Sequence, residues 1–262
     1  FKESVEALGK SLKRRPQNPL TLLYQAKAYR NLSQWEEALG VFEKYLELDD
    51  KNISVWYFKG LCLTRLKHTK EALEAYDKTL ALDESCAPAW FNQACELVTL
   101  KKYEESLTAF DRCISLGMDT AEIHAEHAYA LFRLARYDEA LASLDRSLEH
   151  SSDDPHVHLV RGESLMHLNR YEDALAAFDA AIARDPENGR AHSGRGLSLV
   201  KLEHYEDAVI SLDRALESDS SNPDLLTSKG YSLYRLKRFK ESVEALGKSL
   251  KRRPQNPFTL LY

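Results

Sequence analysis

Slid against itself by 34 residues, the sequence returns the same skeleton seven times without an insertion, in units starting at Pro19, Ile53, Ala87, Ala121, Pro155, Gly189 and Pro223. A fixed period of this size demands a repeat architecture, in which a unit too small to bury its own apolar face stacks on its neighbours. Full repeats are therefore read at 19–52, 53–86, 87–120, 121–154, 155–188, 189–222 and 223–256. Residues 1–18 have the spacing of a second helix alone and 257–262 start a further repeat, so 1–262 reads as one array.

The skeleton has a physical meaning. Position 14 of the unit is Leu every time, from Leu32 to Leu236, position 8 is Gly or Ala, and position 20 is Ala or Ser. Position 17 is aromatic in six of seven units, with Thr69 the exception, and positions 21, 24 and 28 are large and apolar, as in Leu175, Phe178 and Ile182. At about 100° per residue, positions 4, 8, 11 and 14 form one stripe on a first helix, and 17, 20, 24, 27 and 28 one stripe on a second. Small residues at 8 and 20 let the two helices approach, and the aromatic at 17 fills the elbow. All eight prolines fall at positions 32, 1 or 2, where one helix has ended and the next begins. The prediction is an array of helical hairpins.

At these residues the chain resembles the tetratricopeptide repeat family. Trp56 and Trp90 supply the aromatic of position 4, Tyr76, Phe110 and Phe178 that of position 24, Ala181 and Ala215 the Ala of position 27, and Pro186 and Pro254 the Pro of position 32. The departures lie at position 7, where Gln25, Lys59, Gln93, His127, Arg161, Arg195 and Lys229 replace the usual Leu, and at Tyr45, bulky for position 27. The resemblance implies an all-α, right-handed superhelical solenoid of antiparallel helix-turn-helix repeats, with the first helices lining a concave groove. Family resemblance is specific for fold and weak for function, because the scaffold serves many ends.

Composition fits a soluble helical protein, with 44% hydrophobic and 29% charged residues. No apolar run approaches the ~20 residues of a membrane span, no signal peptide is read ahead of the array, and a net charge of −5 gives no nucleic-acid footprint. The basic segments 1–18 and 239–256 read as solvated helix faces, with an acidic partner at the ends as the alternative. Cys62, Cys86, Cys95 and Cys113 form no CxxC pair and read as reduced, cytoplasmic thiols. His124, His158 and His192 recur at position 4, but equivalent helices sit on the order of 10 Å apart, too far for the three to share one ion whose ligands lie about 2 Å away. They read as packing histidines, and the pairs His124 with His127 and His150 with His156 or His158 are weaker metal candidates still. No phosphate loop, HExxH or nucleophile elbow is present. Carboxylates at positions 18–19 beside a basic position 16 (Arg136, Arg170, Arg238) read as surface charge pairs. The chain is expected to be no enzyme and to hold no cofactor or metal.

A partner remains. Positions 5, 9 and 12 point away from the packing stripe of the first helix, yet 15 of the 21 are apolar. Part of that signal is burial of neighbouring first helices against one another; the rest fits a groove for a peptide or helix of another protein. The candidate groove residues are Tyr57, Phe58, Leu61, Phe91, Asn92, Tyr129, Phe132, Leu159, Met166, Tyr231 and Tyr234. The carboxylate clamp that reads chaperone tails is missing: Asn92, the one Asn at position 6, follows Tyr57 and Leu61 and precedes Glu122 and Glu126. An alternative comes from the ends. Residues 1–24 reappear as 239–262 with one change, Leu20 for Phe258, at an offset of seven periods. A self-assembling array that continues head to tail would use such ends, and a regulatory segment of a larger protein is a third reading.

Overall fold

The computed structural model describes residues 17–150 and 153–254, with Glu3, Ala7, Leu8 and Lys10. The readings of 257–262 and of most of 1–18 lie outside the described residues. Among the described residues there are fourteen helices from Pro19 onward and no strand. They are α1 (Pro19–Asn31), α2 (Trp35–Leu46), α3 (Ile53–Arg65), α4 (Thr69–Leu82), α5 (Ala87–Thr99), α6 (Tyr103–Ser115), α7 (Ala121–Arg133), α8 (Tyr137–Glu149), α9 (Pro155–His167), α10 (Tyr171–Arg184), α11 (Gly189–Lys201), α12 (Tyr205–Ser218), α13 (Pro223–Arg235) and α14 (Phe239–Arg252). Contacts divide the chain into two compact units, Phe1–Ala130 and Leu131–Tyr262, a division that falls within α7. Each unit is an all-α helical-repeat solenoid in which consecutive helices pack, for example α3 on α4 and α4 on α5 in the first, α11 on α12 and α12 on α13 in the second.

The first helices start where an amide or carboxylate can cap them. Asn18, Asn52, Asp154, Asn188 and Asn222 each accept a backbone N–H of the first turn, at 2.8–3.2 Å. They end in a Schellman turn. In every unit the residue at position 15 has positive φ: Ser33, Lys67, Lys101, Ala135, Asn169, Glu203 and Lys237, at 58–63°. Their N–H groups and those of the next residue bond back to the helix, as Lys67 to the Thr64 carbonyl and His68 to that of Leu63. The second helices lack such a side-chain cap at Gln34, His68, Lys102, Arg136, Arg170, His204 and Arg238. Carboxylates occupy their first turns instead, and the basic residue before the helix reaches position 19, as in Arg136–Glu139 at 2.6 Å and Arg170–Asp173 at 2.7 Å.

Packing within a hairpin follows from size. Phe42, Tyr76, Phe110 and Phe178, all at position 24, are fully buried, each removing apolar surface worth about 2–3 kcal/mol from water. They fit because position 8 gives way: a Cβ on Gly60 would sit 2.5 Å from the Tyr76 ring, and one on Gly162 2.6 Å from that of Phe178. Tyr45, the bulky residue at position 27, is buried too, its hydroxyl accepting from Asn52 Nδ2 at 2.8 Å.

Between hairpins the polar position 7 acquires a purpose. In the first unit Lys59 pairs with Glu43 at 3.1 Å, Gln93 donates to Asp77 at 2.6 Å, and His127 lies 3.5 Å from Asp111. In the second, Arg161 pairs with Asp145, Arg195 with Asp179 at 2.6 Å, and Lys229 with Asp213 at 2.5 Å. Every partner stands sixteen residues earlier, at position 25 of the preceding hairpin. The Leu of the family pattern is replaced by one rung of a charge ladder, each rung half-exposed and worth up to about 1 kcal/mol.

Candidate functional site

Tyr57, Phe58 and Leu61 of α3, Phe91 and Asn92 of α5, and Tyr129 of α7 belong to the first unit, and all six are half-buried. The Tyr57 and Phe58 rings lie 5.7 Å apart, and Asn92 Nδ2 donates to the Tyr57 hydroxyl at 3.2 Å and to the Pro88 carbonyl at 2.7 Å. Burial raises the Tyr57 phenol above its ordinary range, so it keeps its proton. Phe91 packs on the core ring of Phe110 at 6.3 Å. From α1, the Arg30 guanidinium sits 4.2 Å over the Phe58 ring and the Lys27 ammonium 5.5 Å from it, a cation–π edge to the aromatic row.

The second unit holds Phe132, Leu159, Met166, Tyr231 and Tyr234. Phe132 meets Tyr137 at 5.8 Å and His167 at 5.9 Å, and His167 stacks flat on Tyr137 at 4.5 Å. Phe132, Met166, His167 and Leu197 line an open cleft of about 460 Å³, with the Arg190–Glu163 pair, 2.8 Å apart, on its wall. Tyr231 stands edge-on to Tyr205 at 5.9 Å and accepts from Arg235 at 2.7 Å; Tyr234 is 40% exposed and meets Phe239 at 5.8 Å. Leu159 requires a correction. It is only 3% exposed, a core residue with no surface to offer, on a stretch of α9 where Val157, His158 and Val160 are buried as well.

From the third hairpin onward the repeats match one sequence profile. The profile described as tetratricopeptide repeat matches residues 91–155, 125–189 and 193–257, more than half of the chain. The chain belongs to the tetratricopeptide repeat family. A second profile, anaphase-promoting complex, cyclosome, subunit 3, matches residues 1–79. No curated protein matches the sequence. Among solved structures, the tetratricopeptide protein YrrB, described as having an unusual peptide-binding site, superposes with TM-score 0.64 at 25% identity, over 72% of this chain and 97% of that one. The C-terminal part of a repeat-containing protein from Cytophaga hutchinsonii gives 0.69 at 13% identity, over 91% and 98%. Cut9 in complex with Hcn1 gives 0.62 at 15%, over 98% of this chain and 50% of that one. The last two likenesses are of fold alone.

The tetratricopeptide repeat is a protein-interaction scaffold, and the chemistry of this chain is consistent with that use. Burial pushes the Cys62 thiol up to about 11 and Cys113 to about 12, and raises Cys95 as well, which leaves them poor nucleophiles at neutral pH. Position 4 caps a loop: Trp56, Trp90 and His192 put a ring nitrogen on the carbonyls of Asp50, Glu84 and Pro186, at 2.7–2.9 Å. His158 Nε2, at the same position, is buried and has no hydrogen-bond partner among the described residues. One residue escaped the sequence reading altogether. Glu96 of α5, beside the candidate row, is 5% exposed and accepts a 2.5 Å hydrogen bond from Thr64. Comparing position 10 across the repeats would have found it.

Proposed function

We propose that the chain is a non-enzymatic scaffold of the cytoplasm whose repeats, 19–52 to 223–256, act as one array and hold a peptide or helix of a partner protein. Its contacts are Tyr57, Phe58, Leu61, Phe91, Asn92 and Tyr129 in the first unit and Phe132, Met166, Tyr231 and Tyr234 in the second. The observation that carries this reading is the state of the row. Of the 15 apolar residues at positions 5, 9 and 12, 13 are half-buried, rigid enough to be preorganised yet open enough to be covered, as interaction surfaces rich in Tyr, Phe and Met are. YrrB, with its peptide-binding site, supports the same reading by likeness. Among the described residues no helix is long and apolar enough to cross a membrane, and all four cysteines are free.

The test is a tagged pull-down from source-cell extract, read by mass spectrometry, with the Tyr57→Ala/Phe91→Ala variant alongside. A protein captured by the unmutated chain and lost by the variant, with helicity by circular dichroism unchanged, supports the groove. Recovery of the chain itself, equally by both forms, overturns it in favour of head-to-tail assembly.

A further inference from the structure

Position 10 of the first helix is small wherever it repeats: Ala28, Cys62, Ala130, Ser164, Ser198 and Ser232. All six are buried. Glu96 stands at the seventh, equally buried at 5% exposure. No packing need calls for a carboxylate there, and burying one without a cation is unfavourable.

Its hydrogen bonds are few. Glu96 Oε1 accepts from the Thr64 hydroxyl at 2.5 Å, and Thr64 Oγ1 lies 3.0 Å from the Tyr76 hydroxyl. Thr64 has one proton, given to Glu96, so Tyr76 must be the donor to Thr64; burial keeps that phenol protonated. The chain of hydroxyls thus ends on one oxygen of Glu96; the other has no hydrogen-bond partner among the described residues and is not sealed from the surface. No ion pair to Glu96 exists among the described residues. Thr64 is a position-12 residue of the candidate groove row, so the carboxylate lies against that row. Glu122 and Glu126 stand on the next first helix, and after burial itself they and Glu96 raise the neighbouring Cys95 thiol. A metal ion is a poor occupant, since these three carboxylates do not bring their oxygens within 4.8 Å of one another.

We infer that Glu96 forms an anionic subsite in the first unit that receives one Lys or Arg side chain of the partner peptide. The inference rests on the groove reading above. A single ammonium or guanidinium supplies the donors that the free Glu96 oxygen lacks, and a desolvated pair of this kind couples strongly. The aromatic row from Tyr57 to Phe91 supports the rest of the peptide.

The experiment is selection of a phage-displayed random dodecapeptide library on the full chain, on Glu96→Ser and on Tyr57→Ala/Phe91→Ala. Glu96→Ser installs the residue that three other repeats bury at position 10, and Glu96→Gln keeps the shape without the charge. The expected result is a consensus with apolar residues and one fixed Lys or Arg. A synthetic peptide of that consensus should lose at least about tenfold in affinity with Glu96→Ser or Glu96→Gln, while its Lys→Met counterpart binds all three forms alike. Peptides that depend on Tyr57 and Phe91 but carry no fixed basic residue, or bind both Glu96 variants undiminished, overturn the subsite and leave the groove standing. Peptides indifferent to Tyr57 and Phe91 overturn both.

Discussion

Glu96 in the first unit and Ser198 in the second occupy the same position of the same helix, and they solve burial in opposite ways. Ser198 bonds back to the Gly194 carbonyl at 2.9 Å, as Ser164 does to Val160 at 2.8 Å and Ser232 to Ser228 at 2.9 Å. Each hydroxyl is satisfied within its own helix. Glu96 cannot do this and reaches across to Thr64 on another hairpin, with one oxygen left over. A repeat scaffold thus has two kinds of buried polar group, those that complete themselves and those that wait for something else. The second kind is where function is to be sought.

The comparison can be broken at its base or sharpened at its edges. The largest effects should be the same in both units: Phe110→Ala in the first and Phe178→Ala in the second should each lower stability by about 3–5 kcal/mol. Guanidinium unfolding followed by circular dichroism measures the loss, and hydrogen exchange locates it; a unit that tolerates its substitution is not built on the same core. Next is the exchange of the two position-10 residues. Ser198→Glu should cost about 3 kcal/mol or more, because it buries a carboxylate with no partner prepared. The reverse change, Glu96→Ser, should raise the unfolding midpoint by an amount equivalent to about 1 kcal/mol. If Glu96→Ser instead destabilises, the carboxylate is structural and the contrast between the units dissolves.

A pH dependence should follow from position 4. Desolvation, with Arg184 and Arg161 close by and against the opposing Asp153 and Asp154, depresses the His158 imidazole below its ordinary value of 6.5. The unfolded chain therefore binds a proton that the folded chain refuses. This contribution to stability is present above pH 6.5 and is lost as the pH falls through the depressed value. His158→Phe should flatten the urea midpoint between pH 7 and pH 5; an unchanged slope would assign the dependence elsewhere. The smallest effects belong to the positive-φ residues. Lys67→Gly or Ala135→Gly should stabilise by about 0.5–1 kcal/mol, while Asn169→Gly should leave thermal stability nearly unchanged, since Asn already tolerates that conformation.

The hairpins were legible in the sequence because their signals are local and repeated: position 14, the small residues at 8 and 20, and prolines at the joints. What resisted reading was relational. Gln93 and Arg195 look like departures until Asp77 and Asp179 are seen opposite them; a period-wise reading of position 25 would have supplied the match. Six of the seven positive-φ residues are Ser, Lys, Ala or Glu, types that do not advertise such a turn, so backbone geometry alone betrays it. Leu159 was misread because apolar character at position 5 does not distinguish a residue facing a groove from one sealed by its neighbours. Glu96 was passed over because attention to what recurs hides the single position that does not.

The charge ladder has a consequence for how such a chain can change. Each junction offers a carboxylate at position 25, Glu43 once and Asp in the other five, to whatever stands at position 7 of the next hairpin, while the donor varies among Lys, Gln, His and Arg. Excise residues 189–222 and Lys229 inherits Asp179, an equivalent rung. The ladder therefore sets no obstacle to gaining or losing whole repeats, as a zip with interchangeable teeth is indifferent to its length. Glycine stands at position 25 in the last full repeat, as Gly247, and the first full repeat carries neutral Gln25 at position 7. Neither residue brings a charge to the ladder.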